Sequence, residues 1–550
     1  MIQVNELSLW FEGHEQAVIS KLSFHLNAGE TMLLLGPSGS GKSTLTCCLN
    51  GIYPRELDGK TEGKVRIFDK NVQATKPGEI SKHVGVVFQD PESQFCMLTV
   101  EDEIAFGLEN INTPREKIAA KIDEALQLVH LTEHREATIH SLSGGQKQKL
   151  ALSCVLALEP DFVILDEPTA NLDPLAKQEF IQTMKTIQQE KKIGLIVIEH
   201  QLEGWVSFIQ RACILSRQGQ CIFDGSLTKA ITKHAPLLQS QGIALPPITE
   251  LVLNAAANKQ ATFTSIPLTY DDFSAHVSYL DQQYLDKPPA RNQNTKAALE
   301  AHHLNLTKNK RQILQHITCT LERPSFIAIT GANGSGKTTL TRLLAGIETP
   351  STGEIYVNHR LLKHWKQKEL RQQIGYVFQN PEHQFITDSV FEEIAYTLRL
   401  RTYPETTIKE KVFHTLESCQ LQGMEHRHPY TLSQGQKRRL SVATMIVDEQ
   451  NILFLDEPTF GQDAASTREL MRLLEERYKN GTTIIMVTHD MDIVDQYADR
   501  VIVLENGQIV IDETPEQLWE RPCLNKWHLD YPTRIKLKRH LEGYHVYIAK

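Results

Sequence analysis

Short apolar runs of strand length alternate along the chain with longer segments of helical pattern. The run TMLLL (31–35) leads into a glycine turn and a predicted helix that starts near Lys42 and stops near Gly51. FIAIT (326–330) does the same, with the helix stopping near Gly346. Strands that alternate with helices in this way are typical of a mostly parallel α/β core. No run approaches the roughly 20 apolar residues of a membrane span, so none is predicted.

The same pattern occurs twice. The segments VGVVFQDPESQF (84–95) and FVILDEPTANLD (162–173) return as IGYVFQNPEHQF (374–385) and ILFLDEPTFGQD (452–463). In both pairs the copies lie 290 positions apart, so the chain is predicted to contain a duplicated domain. The predicted parts are a first domain (1–235), a connector (236–297), a second domain (298–530) and a tail (531–550).

The connector and the tail carry weaker patterns. The connector contains ALPPITE and DKPPARNQNTK, whose prolines and polar residues predict little regular structure. Some apolar residues in 251–285 could still pack on a neighbouring domain. The tail includes a basic patch, which we expect to be solvated, with contact to anionic lipid as the alternative.

Composition narrows the class of protein. Of the 550 residues, 41% are hydrophobic and 23% are charged, and the formal net charge is −9, which is typical of a globular protein. No clustered basic excess points to nucleic acid as a partner. The nine cysteines form no spacing that suits zinc, which favours a reducing cytosol, and the N-terminus does not resemble a signal peptide.

Two glycine-rich segments match GxxxxGK(S/T), each between a predicted strand and a predicted helix. Glycines let successive N–H groups point inward and the helix N-terminus adds positive potential, so the pattern predicts two phosphate-binding loops. Lys42 and Lys337 should reach the β- and γ-phosphates of ATP. The predicted ATP-binding residues are Gly36, Pro37, Ser38, Gly39, Ser40, Gly41, Lys42, Ser43 and Thr44 in the first loop, and Gly331, Ala332, Asn333, Gly334, Ser335, Gly336, Lys337, Thr338 and Thr339 in the second.

Two apolar runs, FVILD and ILFLD, end in aspartate. A carboxylate at such a place is costly unless it meets a cation. We therefore assign Asp166 and Asp456 to Mg²⁺, held through water, together with the hydroxyls of Ser43 and Thr338. ATP and Mg²⁺ are the predicted cofactors.

A glutamate follows each of these aspartates. By the alternation of a strand, Glu167 and Glu457 are expected to face the other way, toward the γ-phosphate, where each can polarise an attacking water. His200 and His489 each close a later apolar run. A lone histidine is more often a satisfied core or surface residue. Two at equivalent places, in a chain with two phosphate loops, favour contact with the γ-phosphate.

With these motifs the chain resembles two ATP-binding-cassette (ABC) ATPase domains fused in sequence. The resemblance implies a P-loop NTPase fold in each domain: a mostly parallel sheet core, an antiparallel β part and a helical signature subdomain. It implies that Gln89 and Gln379 are Q-loop residues that add to the metal ligands, and that Phe11 stacks on adenine. The pentapeptides LSGGQ (142–146) and LSQGQ (432–436) resemble the family signature.

In that family, each nucleotide lies between the phosphate loop of one domain and the signature of the other. The resemblance therefore implies two composite ATP sites, formed by head-to-tail pairing of the two domains within the chain. ATP binding would close them and hydrolysis would open them. The signature residues are Ser433, Gly435 and Gln436 for the site with the first phosphate loop, and Ser143, Gly144, Gly145 and Gln146 for the other.

The second copy departs from the family pattern. Gln434 stands where the first copy has Gly144, and the stretch LNLTKNK (304–310) has no aromatic residue to match Phe11. A positive φ at position 434 would strain glutamine by roughly 1–2 kcal/mol, whereas an ordinary φ would leave the side chain pointing outward. Because both glutamates and both histidines are retained, we expect two hydrolysis-competent sites of unequal strength.

The segments FQDPESQF (88–95) and FQNPEHQF (378–385) are similar to a segment of energy-coupling-factor (ECF) importers. In that family the region beyond the Q-loop, where Gln94 and Gln384 lie, docks the transmembrane subunit. LSQGQKRRLSVATM and DEPTFGQD resemble the second half of the fused ATPases associated with hydroxymethylpyrimidine (HMP) and thiamine uptake. The resemblance implies an ATPase at the cytoplasmic face of the membrane, with a transmembrane coupling subunit and a small-molecule-binding membrane subunit as partners.

The transported solute is not readable from this chain, and a vitamin, a vitamin precursor and a metal ion all stay open. Two other classes of tandem cassette are alternatives. ABC-F factors act on ribosomes, but their linker is a long charged helical pair, whereas this connector contains PP twice. Tandem sugar-importer ATPases are the nearest alternative of the same class, and the paired FQxPExQF segments count against them.

Overall fold

The structure is a computed structural model. It describes residues 1–544 except 14, 38, 171, 282–284, 287–295, 309, 449 and 460, and at 296, 434, 543 and 544 it describes the backbone only. Two compact units are present, unit 1 (Met1–Gln282) and unit 2 (Gln283–Tyr544). One glycine-rich segment falls in each unit.

Unit 1 begins with strands in two sheets. They are β1 (Ile2–Phe11), β2 (Ile19–Leu26), β3 (Thr31–Leu35), β4 (Gly59–Ile67), β5 (Lys70–Asn71), β6 (Val84–Val87), β7 (Phe162–Asp166), β8 (Gly194–Ile198), β9 (Arg211–Leu215) and β10 (Cys221–Ser226). In the described residues, the larger sheet has the order β10-β9-β3-β8-β7-β6 and is parallel except at β10. The smaller sheet, β2-β1-β4-β5, is antiparallel.

Both faces of the larger sheet are covered, which explains why its central strands are continuously apolar. Leu33 and Leu35 of β3 pack in a core with helices, whereas Met32 and Leu34 pack in a second core with the smaller sheet. A period of two therefore divides each central strand between two cores. The helices around this sheet are α1 (Lys42–Leu49), α2 (Pro77–Ile80), α3 (Val100–Asn110), α4 (Arg115–Leu128), α5 (Gly144–Ala157) and α6 (Pro174–Lys191).

The sequence predicts little regular structure between 236 and 297, and this expectation is wrong for much of the described part of that segment. Several of its apolar residues are buried, which stabilises helices there. Leu238 and Leu245 belong to the core of unit 1, and Val252 is also buried. The elements that end, lie in or cross this segment are α7 (Leu227–Ser240), α8 (Pro247–Ala257), β11 (Ala261–Phe263), α9 (Tyr270–His276) and β12 (Val277–Leu280).

Unit 2 repeats the plan of unit 1. In its described residues, the larger sheet has the order β18-β19-β20-β15-β21-β22 and the antiparallel sheet the order β14-β13-β16-β17. The strands are β13 (Lys296–Lys308), β14 (Arg311–Arg323), β15 (Phe326–Thr330), β16 (Thr352–Val357), β17 (Arg360–Leu361), β18 (Ile374–Val377), β19 (Ile452–Asp456), β20 (Thr483–Val487), β21 (Arg500–Glu505) and β22 (Gln508–Glu513). The helices are α10 (Lys337–Leu344), α11 (Gln367–Gln373), α12 (Val390–Leu400), α13 (Glu405–Ser418), α14 (Gln434–Ile446), α15 (Ala464–Lys479), α16 (Met491–Tyr497), α17 (Pro515–Glu520) and α18 (Thr533–Tyr544).

The predicted solvated tail is also wrong for residues 533–544, which form α18. Leu537 and Leu541 on this helix are buried. Arg534 donates to both carboxylate oxygens of Asp495 in α16, over 2.5 and 2.7 Å, and to the carbonyl of Leu285 over 3.0 Å. The helix forms because its apolar residues have a surface of unit 2 to cover. Residues 545–550 of the tail lie outside the described residues.

Along the described part of the chain, no helix is both long enough and apolar enough to cross a bilayer.

Candidate functional site

Each glycine-rich segment connects a central strand to a helix. In unit 1 it runs from β3 to α1, and in unit 2 from β15 to α10. The residue before each helix is a glycine with positive φ, 88° at Gly41 and 104° at Gly336. A Cβ at Gly336 would also lie 2.8 Å from Leu314 Cδ2. The backbone conformation therefore favours glycine, and a Cβ at Gly336 would in addition displace the end of the Leu314 side chain.

The loop lysines lie inside their own loops. Lys42 Nζ donates to the carbonyls of Gly36 and Pro37 over 2.7 and 3.0 Å. Lys337 Nζ makes the equivalent bonds to Gly331 and Ala332, each of 2.9 Å. Both lysine side chains are buried beside a helix N-terminus. The arrangement places a positive charge and free helix N–H groups together, which suits a phosphate group.

The remaining loop residues surround these lysines. Gly39, Ser43, Asn333 and Gly334 are exposed. Thr44, Ala332, Gly336, Thr338 and Thr339 are half-buried, and Gly36, Pro37, Gly41 and Gly331 are buried. Ser38 lies outside the described residues. The hydroxyls of Ser40 and Ser335 are buried and have no hydrogen-bond partner among the described residues, so each could still bond a ligand.

A hydroxyl and a carboxylate meet beside each loop. Thr338 Oγ1 donates to Asp456 Oδ1 over 3.1 Å, and the hydroxyl of Ser43 bonds Asp166. Burial raises the pKa of Asp166 to about 6, and it also raises the pKa of Asp456. A hydroxyl and a carboxylate supply the hard oxygen donors that Mg²⁺ prefers, and the bound ion would offset the cost of burying the carboxylate charge. The residues therefore fit that ion.

The two candidate bases have a left-handed backbone. Glu167 and Glu457 follow the last residues of β7 and β19 with φ of 49° and 48°. Their N–H groups still donate to the carbonyls of Ile198 and Val487, over 2.9 and 3.0 Å. Strand alternation, the predicted reason for their direction, is therefore wrong. The positive φ sets the direction, and such a backbone in a non-glycine residue is a costly conformation that clusters at functional sites.

In unit 1, three predicted side chains meet. His200 Nε2 lies 3.0 Å from Glu167 Oε1, and Gln89 Nε2 donates to Glu167 Oε2 over 2.7 Å. Burial raises the pKa of Glu167, but the hydrogen bond and charge of His200 and the charge of Lys42 outweigh it, so the pKa lies below its ordinary value. The carboxylate is ionised near neutral pH, as a general base must be.

Unit 2 has the same cluster with longer distances. His489 Nε2 lies 3.2 Å from Glu457 Oε1, and Gln379 Nε2 donates to Glu457 Oε2 over 3.2 Å. Burial again opposes ionisation, and His489 and Lys337 again outweigh it and lower the pKa of Glu457. In this state the amide groups of Gln89 and Gln379 contact the glutamates. Their assignment as metal ligands stays a prediction.

The two signature segments each begin a helix. Ser143 accepts from the N–H of Gln146 over 3.3 Å, and the Gln146 side chain accepts from the N–H of Ser143 over 2.8 Å, which is a capping box. Ser433 and Gln436 form the same pair over 3.4 and 2.9 Å. Gln434 is the first residue of α14 and has no positive φ. Backbone strain at position 434 is therefore ruled out.

Comparison with known proteins decides the family. A family model described as ABC transporter matches residues 19–170 and 314–460, once in each unit. The chain belongs to the ABC transporter family. It is an ATP-binding and ATP-hydrolysing ABC protein, and the predicted tandem of two α/β cassettes is confirmed.

Individual ABC proteins resemble this chain over nearly all its length. A Bacillus subtilis (strain 168) protein, YkoD, whose name assigns it provisionally to HMP/thiamine import as an ATP-binding protein, is 42% identical over 95% of this chain and 93% of its own. An Enterococcus faecalis (strain V583) protein, named provisionally as an ABC transporter ATP-binding protein, is 34% identical over 94% and 91%. The predicted resemblance to the HMP/thiamine-type fused subunit is thereby confirmed.

Among solved structures, cbiO1 from Clostridium perfringens, described as part of the ABC transporter complex cbiONQ, is 33% identical to this chain. It covers 41% of this chain and 91% of its own, with a TM-score of 0.37.

The predicted adenine residue lies at the end of β1. Phe11 is 40% exposed, with its ring edge-on to Tyr53 at 6.2 Å. It lines a cavity of about 640 Å³ together with Trp10, Gly59 and Lys60. The equivalent end of β13 is polar, so the two ABC units differ where the base of the nucleotide is expected.

Sequence reasoning missed a second difference between the units. In unit 2 the Tyr376 hydroxyl lies 3.4 Å from Asp456 Oδ2. Arg438 on α14 is buried, donates to the Phe378 carbonyl over 3.3 Å, and places its charge near Glu457. The corresponding residues of unit 1, 86 and 148, are valine and glutamine. Aligning the two repeats residue by residue would have revealed both differences.

The region beyond each Q-loop combines internal bracing with exposed apolar side chains. Gln94 accepts from the N–H of Phe88 over 2.9 Å and donates to the Val86 carbonyl over 3.1 Å. Gln384 exchanges bonds of 2.8 Å with Ser441. Both side chains therefore support their own unit. The exposed apolar residues nearby are Leu98, Phe106, Ile386 and Tyr396.

Proposed function

We propose that this ABC protein is the ATP-hydrolysing subunit of an ECF-type importer for HMP, thiamine or a related vitamin precursor. The observation that carries the proposal is the relationship to YkoD, whose name assigns it provisionally to that import, since 42% identity extends through both units. The paired FQxPExQF segments support the ECF type. A ribosome-associated role has no support of this kind.

At each site, the residues have different roles in ATP hydrolysis. The phosphate loop and its lysine bind the β- and γ-phosphates. The ionised glutamate accepts a proton from the attacking water, and the histidine orients the glutamate and contacts the γ-phosphate. Ser43 with Asp166, and Thr338 with Asp456, would hold Mg²⁺. The ion supplies charge neutralisation between the phosphates.

Each site is completed by the signature of the other unit in this proposal. Ser433, Gly435 and Gln436 would face the first phosphate loop, and Ser143, Gly144, Gly145 and Gln146 would face the second. The capping boxes support it, because they hold each signature serine at a helix N-terminus, where backbone N–H groups can bind a phosphate. Loss of the γ-phosphate would then release both contacts.

The membrane partner would dock beyond the Q-loops. Leu98 is 73% exposed and Ile386 is 64% exposed, and each follows a Q-loop segment that is braced from inside. Exposed apolar groups on a rigid support suit an amphipathic helix of a transmembrane coupling subunit. A small-molecule-binding membrane subunit would complete the importer. The chain would then lie on the cytoplasmic face of the membrane.

The proposal is tested by reconstitution. The chain is co-expressed with candidate membrane subunits, isolated from membranes and placed in liposomes with ATP inside or outside. We expect HMP or thiamine to move toward the side of the bilayer that carries this chain, and only when ATP is on that same side. Leu98→Glu and Ile386→Glu should together release the chain from the membrane. Co-sedimentation with ribosomes, or uptake of a sugar instead, would contradict the proposal.

A further inference from the structure

A buried carboxylate in unit 1 connects two loops of the candidate site. Glu199 follows β8 and precedes His200, and its side chain is buried. Its Oε1 accepts from the N–H of Thr169 over 3.1 Å and from the Thr169 hydroxyl over 2.5 Å. Its Oε2 accepts from the N–H of His200 over 3.2 Å. Short bonds to a carboxylate are among the stronger hydrogen bonds of a protein.

Thr169 belongs to the segment between the candidate base and α6. This segment starts at Glu167 and ends at Asp173, which caps α6 by accepting from the N–H of Ala176 over 3.0 Å. The N–H of Glu167 is itself bound to the carbonyl of Ile198, the last residue of β8. The backbone around Glu167 is therefore fastened to the loop of His200 at two places, one at Glu167 and one two residues later.

A second polar link joins the same two parts of unit 1. Lys177, in the first turns of α6, donates through Nζ to Gln201 Oε1 over 2.6 Å. Burial raises the pKa of Glu199, and the charge of Lys177 acts in the opposite direction. The lysine and the carboxylate thus favour each other electrostatically across the two segments.

Among the described residues of unit 2, the bond between Glu199 and Thr169 has no counterpart. The counterpart of Glu199 in unit 2 is Thr488, which directly precedes His489. The counterpart of Lys177 is Thr467, since each lies four residues after the aspartate that caps its helix. The Thr488 hydroxyl accepts from the N–H of Asp490 over 3.1 Å, within its own loop. In the described part of unit 2, no hydrogen bond joins Thr488 to Thr459, the counterpart of Thr169.

We propose that Glu199 is a positioning residue of the first ATP site, where it braces residues Glu167–Thr169 against the loop of His200. The inference rests on the proposed roles of Glu167 and His200 in hydrolysis. The brace keeps the base and the histidine in one rigid arrangement, while unit 2 must order the same groups without it. The contact of the histidine agrees with this difference: His200 Nε2 is hydrogen-bonded to Glu167 Oε1, whereas His489 Nε2 has no hydrogen-bond partner among the described residues.

The two sites are measured separately by removing one base at a time. In a chain that carries Glu457→Gln, the remaining turnover reports the site of unit 1. There we expect Glu199→Thr, which installs the residue of unit 2, to lower kcat about tenfold and to change KM for ATP less than about twofold. Glu199→Gln keeps an acceptor for Thr169 and should restore at least about half of the lost rate.

Thr169→Val tests the same brace from its other end. It removes the hydroxyl donor and should lower kcat about threefold, and adding it to Glu199→Thr should cause little further loss, because the two residues form one contact. If the Glu199→Thr variant does not fold, the kcat of the Thr169→Val variant alone tests the brace. The matched control is Thr459→Val in a chain with Glu167→Gln, where turnover by unit 2 should stay within about twofold.

An unchanged kcat in both Glu199→Thr and Thr169→Val would overturn the brace. So would an equal loss in the Thr459→Val control, since that would indicate a general effect of the substitution. Turnover that persists in the chain with both Glu167→Gln and Glu457→Gln would instead refute the proposed base. The two failures are therefore distinguishable.

Discussion

Replacing Arg438 by glutamine, the residue at the equivalent position of unit 1, should stabilise unit 2. Arg438 is 5% exposed, and burial lowers the pKa of its guanidinium to about 10 even with Glu457 and Asp456 nearby. Because the pKa of this cation is lower in the folded chain than in the unfolded one, its charge destabilises the fold at every pH below about 10. The cost is relieved only as the pH rises through that value.

The size of the effect follows from the cost of burying a cation. For a buried ion this cost is on the order of a few kcal/mol, which is an upper limit on the gain. The hydrogen bond to the Phe378 carbonyl and some packing are lost, which costs about 1 kcal/mol or more. We therefore expect Arg438→Gln to stabilise unit 2 by roughly 1–2 kcal/mol. Exchanging a buried charge for a neutral residue often has this result.

The measurement has to report on unit 2 alone. Hydrogen exchange read on peptides of β19 and β20 gives the opening free energy of that core. The reciprocal change, Gln148→Arg, should destabilise unit 1, because Gln148 is 2% exposed and the change would bury a charge there. A second readout is the pH–rate profile with Glu167→Gln: its acid limb should move to higher pH, since Arg438 lowers the pKa of Glu457. An opening free energy of the unit 2 core that stays the same or falls with Arg438→Gln would refute the reasoning.

Three further predictions have defined outcomes. Glu167→Gln and Glu457→Gln should each lower ATP turnover, and together they should reduce it by about 10²-fold or more, measured as phosphate release; full turnover in the double variant would exclude the base assignment. Gly336→Ala should destabilise unit 2 by roughly 1–3 kcal/mol in a denaturant titration, because φ is 104° and the Cβ would have to displace the end of the Leu314 side chain; an unchanged midpoint would contradict this. Leu537→Asp should destabilise unit 2 by about 2–4 kcal/mol, whereas a solvated tail would tolerate it.

The sequence predicted the parts of the site that depend on local patterns. The phosphate loops, the aspartates at strand ends and the capped signature helices all follow from short motifs, and the structure has them where they were expected. The direction of Glu167 was predicted for the wrong reason, because a positive φ in a non-glycine residue leaves no pattern in the sequence.

Features that depend on distant contacts were not predictable. Segment 236–281 and residues 533–544 looked like a linker and a tail, since their helices are stabilised by surfaces that fold elsewhere in the chain. Arg438 and Glu199 escaped notice because each is buried by partners many positions away. Comparing the two repeats for differences, rather than for matches, would have pointed to both.

The division of each central strand between two cores has an evolutionary consequence. Leu33 and Leu35 pack in the core that contains the helical layer of unit 1. Met32 and Leu34 pack in the other core, which contains the antiparallel layer that carries Phe11. Mutations that reshape one layer can be compensated at alternate positions of the same strand without disturbing the other. A family built on this plan can therefore change what its helical surface recognises while its nucleotide-facing surface stays the same.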